Sequence, residues 1–291
     1  MANSIAHFKK YIAALDDVYK LSALTADLDS PAELARQGAN ANEIIVQKLD
    51  MDGLADYSRN SGYVNGSVTL TNETVQFNFD RGRRFSIDAM DNEETAGLAF
   101  GRLASEFIRT KVVPELDAFR FAAYAGANGI SKATPGTLAD GGAVLAALIG
   151  AQTKMDEDEV PSEDRQLRIT PGLYNAIQAV DTTKSREVLG SFASIRKVPQ
   201  SRFYTAIEQL DGTSSGEEKG GYKKATNGKD INFMIFHKAA LIQYTKHTVS
   251  KIVTPEENQS NLDGWLFFFR AYGLADVYEN KVAGIYLHHQ A

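Results

Sequence analysis

Apolar residues near the start of the chain recur every three or four positions. Ile5, Phe8, Ile12, Leu15, Val18 and Tyr19 fall on one side, and Lys9, Lys10, Asp16 and Asp17 on the other, which is the period of an amphipathic helix over 5–24. Ser4 is placed to cap it. Phe8, Ile12 and Leu15 centre a stripe that needs a partner, in the chain's own core or on another subunit. The rhythm fades over 25–42, which ends Gln37-Gly38-Ala39-Asn40-Ala41-Asn42 and reads as an arm. From Glu43 the period becomes two. Ile44, Ile45 and Val46 open a strand, and Gly53, Asn60, Gly62, Asn65 and Gly66 mark a turn-rich excursion over 53–66. Val68 and Leu70 alternate on even positions, whereas Val75, Phe77, Phe79, Phe85 and Ile87 alternate on odd ones. That phase change predicts a turn or bulge near Thr71–Thr74, because a one-residue shift exchanges the two faces of a strand. The pattern predicts a long hairpin with a polar far end, and Arg81, Arg83 and Arg84 cluster at its base.

A helical period returns after Asp91, with Glu94 three residues on as a capping box. Leu98, Leu103, Phe107, Val112, Leu116 and Phe119 carry it. Pro114 should kink or interrupt this helix, and Gly126 and Gly129 should end it. Residues 131–142 read as a linker, 143–156 as a helix, Gln166–Thr170 as a short strand and Pro171–Val180 as a helix opened by proline. Ser201–Glu208 reads as extended and Asp211–Lys229 as a polar, glycine-rich surface loop. Residues 231–236, 241–253, 264–272 and 282–287 are rich in strand formers. Helices and strands grouped by region indicate an α+β class, and no repeat interrupts the chain.

Composition narrows the function. The 291 residues hold no cysteine, which excludes disulfides, thiol nucleophiles and zinc–thiolate sites. Thirty-seven acids against 31 bases give a net charge of −6, the wrong balance for a protein that grips phosphates. The apolar run Trp265–Phe269 is far short of the ~20 residues of a membrane span, and the N-terminus lacks the pattern of a signal peptide. Catalytic and metal signatures fail one by one. Gly228-Lys229 lacks the first glycine and the Ser/Thr of a phosphate loop. Gly190-Ser191-Phe192-Ala193-Ser194 lacks the spacing of a hydrolase elbow. The five histidines form no ligand pair on one helix, and the acidic run Asp156–Glu159 lacks the alternation of a calcium loop. No catalytic, cofactor or metal residue is assigned, and the chain is expected not to be an enzyme.

Several motifs, in order, carry a resemblance. They are Met51-Asp52-Gly53-Leu54-Ala55-Asp56-Tyr57, Asp80-Arg81-Gly82-Arg83, Asp88 through Thr95, Val113-Pro114-Glu115-Leu116-Asp117-Ala118, Asp181 through Arg186, and Asp276 through Tyr286. In this order the chain resembles the major capsid protein of a tailed bacteriophage with the Hong Kong 97-type fold. The resemblance implies an N-terminal arm (1–42), an extended loop (43–90) and a spine helix opening the peripheral domain (91–137). An axial domain (138–240), peripheral strands (241–277) and a C-terminal strand (278–291) would follow.

The implied function is a structural one. Copies would join as hexamers and pentamers into an icosahedral head around double-stranded DNA, bound without sequence preference, in a virion assembled in the host bacterial cytoplasm. Expected inter-subunit contacts are Asp56, Tyr57, Arg59, Arg81, Arg83 and Arg84 on the extended loop and its base, with Phe8, Ile12 and Leu15 on the arm helix. Expected partners are a portal, a decoration protein and, since only about 42 residues precede the hairpin, either a separate scaffolding protein or a scaffolding segment already removed from this sequence. Residues 49–110 contain no lysine, so a shell without covalent cross-links from this loop is expected. An encapsulin-like compartment shell is the alternative within the fold, and a small-molecule-binding domain or enzyme the alternative outside it.

Overall fold

The computed structural model describes residues 23–31, 36–37, 43–90, 98–180, 182–258 and 263–291. The predicted arm helix, with Phe8, Ile12 and Leu15, and the capping box at Asp91–Glu94 lie outside them. The chain divides into two compact units, Pro31–Asn78 and the remainder.

Unit Pro31–Asn78 is a sheet of order β1-β2-β3, with β1 at Arg36–Gln37, β2 at Glu43–Met51 and β3 at Val68–Gln76. β2 and β3 pair antiparallel without a bulge, from Glu43 opposite Gln76 to Met51 opposite Val68. The expected turn at Thr71–Thr74 is therefore absent, and β3 runs straight through the phase change. The chain breaks instead at Phe77-Asn78. The next strand, β4 (Phe79–Asp88), joins a sheet of the other unit.

The other unit has two main layers of strands. One is the sheet β11-β12-β4, in which β11 is Leu241–Val253 and β12 Gly264–Val277. Its apolar face packs on a long helix made of α1 (Leu98–Phe107), a π-turn (Ile108–Val112) and α2 (Val113–Gly126). Phe85, Phe267 and Phe269 of the sheet meet Phe107 of the helix. Pro114 does not interrupt the helix. Its ring would collide with the carbonyl four residues back, and it has no N–H to give. The π-turn lies immediately before it, where the loosened ladder absorbs both defects.

The second layer is a five-stranded sheet of order β5-β13-β10-β6-β7. Its strands are Ser131–Lys132, Ile285–His289, Ile231–His237, Arg165–Ile169 and Ser194–Lys197. Alternation along β10 sends Met234 and Phe236 to one core with Phe121 and Tyr124 of α2. Phe233 and Ile235 go to another core with Val144, Leu148 and Ile177. Those last residues belong to α3 (Gly141–Glu157) and α4 (Pro171–Gln178). Covered on both faces, β10 reads as an apolar run from Ile231 to Phe236 broken only by Asn232, whereas β6 buries Arg165, Gln166 and Arg168 beside Leu167 and Ile169. A further helix, α5 (Thr182–Gly190), and a small hairpin of β8 (Ile207–Leu210) and β9 (Gly221–Lys224) complete the unit. β9 lies inside the segment expected to be wholly loop.

Candidate assembly surfaces

The phase change in β2–β3 has a structural meaning. Directly opposed residues share a face. Ile44 opposes Val75, whereas Leu49 opposes Leu70 and Met51 opposes Val68. Position parity puts the first pair on one face and the other two pairs on the opposite face. Ile44, Val46 and Val75 are buried, but Leu49, Met51, Val68 and Leu70 are all more than half exposed. The hairpin thus presents an uncovered apolar face along its outer half.

Beyond it, the backbone of Asp52 donates to the Ser67 carbonyl (3.1 Å), and its Oδ2 accepts from the Ser67 N–H (2.6 Å). Ser58 and Gly62 close a tight turn, with Gly62 in the left-handed region at φ 78°. The Tyr57 and Tyr63 rings pack 4.8 Å apart. Leu54, Tyr57, Tyr63 and Val64 are exposed, so the far end is not the polar surface expected from sequence. Asp56, Tyr57 and Arg59 all sit on this exposed loop.

At the base, alternation along β4 separates the arginines. Arg81 and Arg83 take one face and Arg84, exposed, the other. Arg81 binds Glu115 of α2 (2.7 Å) and donates to the carbonyls of Leu210 (2.7 Å) and Gly221 (3.2 Å). Burial pushes the Glu115 carboxyl up, and Arg81 pulls it partly back. Arg83 donates to the Glu218 carbonyl (2.8 Å). A Cβ on Gly212 or Gly220 would come within 2.7 or 2.9 Å of the Arg83 guanidinium, and both glycines have positive φ. Asp80, next to Arg81 in the chain, is bound by Arg270 (2.7 Å), which holds its carboxyl below the ordinary range. Two of the three arginines therefore tie the β8–β9 region to β4 within one chain.

Sequence reasoning missed a third feature, the segment Thr25–Ser30. Asp117 of α2 is fully buried and accepts from the N–H of Leu24 (3.1 Å), the N–H and hydroxyl of Thr25 (3.2 and 2.8 Å) and Arg202 (3.2 Å). Burial pushes its carboxyl up, and these donors with the nearby Arg120 oppose that. Asp27 holds Arg168 (2.7 Å) and Arg196 (2.9 Å) on β6 and β7. Arg168 is completely buried and its Nε has no partner among the described residues. Gln243 of β11 donates to the Thr25 carbonyl (2.7 Å) and Asp29 (2.6 Å), and Tyr124 donates to Gln243 (2.6 Å). Ser30 bonds β11 through Leu241 and Gln243. The six residues Thr25–Ser30, with Leu24 before them, thus reach both sheets and the long helix. These partners lie 92 or more positions away, where no local pattern signals them.

The remaining candidates are structural. Asp156 binds Arg165 (2.6 Å) and Asp158 binds Lys154. His288 is buried beside Asn232 (3.0 Å) and stacks on Phe233. Among the described residues no three His, Asp or Glu side chains are placed to hold a metal, and no helix is long and apolar enough to cross a membrane.

No protein-family model and no curated protein sequence matches the chain. Solved structures do. A chain described as a virus-like particle from Pyrococcus furiosus aligns over 97% of this chain and 99% of its own, with 12% identity and a TM-score of 0.62. A chain of Mycobacterium phage Che8 aligns over 91% and 90%, with 11% identity and a TM-score of 0.61. One from the capsid of the cyanophage P-SCSP1u aligns over 88% and 85%, with 13% identity and a TM-score of 0.53. At such identities the likeness is one of fold, and it runs through nearly the whole chain. The α+β fold of this protein is shared with these phage and virus-like-particle chains, as its resemblance to the Hong Kong 97-type family led us to expect.

Proposed function

We propose that this chain is the structural major capsid protein of a tailed bacteriophage, a non-enzymatic subunit. It self-assembles through hexamers and pentamers into an icosahedral head around double-stranded DNA. The observation that carries this reading is the near-complete overlap with shell chains, in a molecule whose hairpin leaves an apolar face uncovered. A two-stranded hairpin gains stability by covering such a face, and head-to-tail contacts that close by rotation give rings. Leu49, Met51 and the loop with Asp56, Tyr57 and Arg59 then contact a neighbouring copy. Arg84, exposed at the base, adds a polar contact, and the stripe of Phe8, Ile12 and Leu15 adhesion through the arm.

In this reading 138–240 form the axial domain, and the long helix with 241–277 the peripheral domain. The partners are a separate scaffolding protein, a portal, a decoration protein and packaged DNA, in a virion assembled in the host bacterial cytoplasm. The net charge of −6 keeps the wall from gripping phosphates, whose binding would oppose packaging and release. With no lysine at 49–110, the shell is non-covalent, and ladders of linked subunits on denaturing gels would refute that point.

The test is expression of the full chain, alone and with its neighbouring genes, followed by light scattering and negative-stain microscopy. Closed shells or five- and six-membered rings support the reading; a monomer under every condition overturns it. The Pyrococcus virus-like particle favours a second reading, an encapsulin-like compartment. Nuclease-protected double-stranded DNA inside native particles selects the phage head, and protein cargo the compartment.

A further inference from the structure

The chain has three Asn-Gly pairs, Asn65-Gly66, Asn128-Gly129 and Asn227-Gly228. Such a pair can react with itself, because glycine has no Cβ to shield its nitrogen. The glycine nitrogen attacks the carbonyl carbon of the Asn side chain, gives up its proton and expels ammonia, which leaves a five-membered succinimide. Water then opens the ring at either carbonyl. One opening gives aspartate, and the other gives isoaspartate, in which the main chain runs through the side-chain carbon. The step needs a glycine N–H that is not held and a backbone free to rotate toward the side chain.

The three pairs differ in both respects. Gly228 is buried, its N–H donates to the Ala225 carbonyl (2.8 Å), and a Cβ there would stand 2.5 Å from the Ala206 carbonyl oxygen. Gly129 is held in the left-handed region at φ 83° where the chain leaves α2, against Val282 and just ahead of the buried Ile130. Asn65 and Gly66 are both exposed, lie outside any helix or strand and form no hydrogen bond among the described residues. Asn60-Ser61, on the same loop, differs again, because the Ser61 N–H donates to the Ser58 hydroxyl (3.3 Å).

We propose that Asn65 is a site of spontaneous modification in the free chain, converting through a succinimide to aspartate and isoaspartate, while Asn128 and Asn227 are spared. Its position gives the product a consequence. Two residues on, the Ser67 N–H donates to Asp52 Oδ2 (2.6 Å) and the Ser67 carbonyl accepts from the Asp52 N–H (3.1 Å). Isoaspartate lengthens the main chain beside this clasp. Either product adds a carboxylate to a loop that already carries Asp50, Asp52 and Asp56. The clasp at the outer end of the hairpin is loosened.

The test uses the full chain at mildly alkaline pH, dilute enough that light scattering shows no assembly. Samples taken over time are digested, and each Asn-Gly peptide is followed by mass spectrometry with fragmentation that distinguishes isoaspartate. Asn65 should be lost at least about fivefold faster than Asn227, the factor set by one retained hydrogen bond. In urea, with the fold removed, the three pairs should react at similar rates. Gly66 lies outside the left-handed region, and a Cβ on it would only touch the Asp52 Cβ at 3.8 Å, so Gly66→Ala fits. That substitution should slow the loss of Asn65 and leave the other two pairs unchanged. In the isoaspartyl fraction, hydrogen exchange at Ser67 should be faster than in fresh chain.

Equal loss of Asn65 and Asn227 in the folded chain, a faster loss of Asn128, or an unchanged ranking in urea overturns the assignment. Unchanged exchange at Ser67 overturns the loosening of the clasp. These outcomes are independent of whether the chain forms shells.

Discussion

Segment Thr25–Ser30 and the outer half of the hairpin stand at opposite extremes of the molecule. The first has little apolar pattern, yet its side chains and backbone are bound by Asp117, Arg168, Arg196 and Gln243. The second has the plainest strand alternation in the chain, yet its apolar side chains at 49, 51, 68 and 70 face outward. Periodicity tells where an element forms. It does not tell whether the face that element creates is already covered. A region held by internal ion pairs reports its faults as lost stability, and a region left uncovered reports them as lost association.

The largest effect on the stability of the chain is expected from Asp117→Ala. It strips an acceptor from Thr25, Leu24 and Arg202 inside the core. Breaking one partner of a buried charge network costs roughly 3–5 kcal/mol, to be read from the denaturant midpoint of the chain. Asp27→Ala is expected to cost less, about 2–3 kcal/mol, because Gln166 and the Leu167 carbonyl still hold Arg168. Its measurement is the same, with hydrogen exchange at β6 and β7 locating the loosening. An equal cost for a tip substitution would erase the contrast.

Acidification offers a finer separation. Burial holds His288 below the ordinary value of 6.5, and His237 is lowered for the same reason. As pH falls, the unfolded chain takes up these protons first. The stability they contribute is complete above pH 6.5 and is lost as pH drops toward the folded-state values. His288→Gln should flatten stability against pH between 5 and 7. Residues 31–78 contain no histidine, so exchange rates in the hairpin, corrected for the intrinsic effect of pH, should not follow this change.

The smallest effect on the folded chain is expected from Leu54→Ser with Tyr63→Ser. Both side chains are exposed, so stability should change by no more than about 0.5 kcal/mol. Shell yield, measured by light scattering, should fall sharply. A loss of stability without loss of assembly would place these residues in the core of their own unit.

Much of the fold was legible. The spacing of Leu103, Phe107, Val112 and Leu116 marked the long helix, and proline and glycine marked the ends of α4 and the hairpin loop. Val68 and Leu70 against Val75 showed a change of face, read as a turn because one strand is usually covered on one side only. Here the strand continues and the covered side changes. Arg81 meets Glu115 and the carbonyls of Leu210 and Gly221 within its own chain, partners too far along the sequence for any local pattern to mark. The grip on Thr25–Ser30 gave no signal, because alternating Thr, Asp and Asp look the same in solvent as beside buried arginines.

The sequence by itself determined the α+β class, the placement of the long helix and of the main strands, the absence of lysine over 49–110 and the want of a catalytic motif, since these follow from residue type and short-range period. The tertiary structure alone decided that β4 leaves the hairpin for β12, that the π-turn absorbs Pro114, and that Asp117, Arg168 and Arg196 bind the segment before the hairpin. Those outcomes depend on which distant groups are brought within bonding distance, and neither strand period nor helix period carries that information.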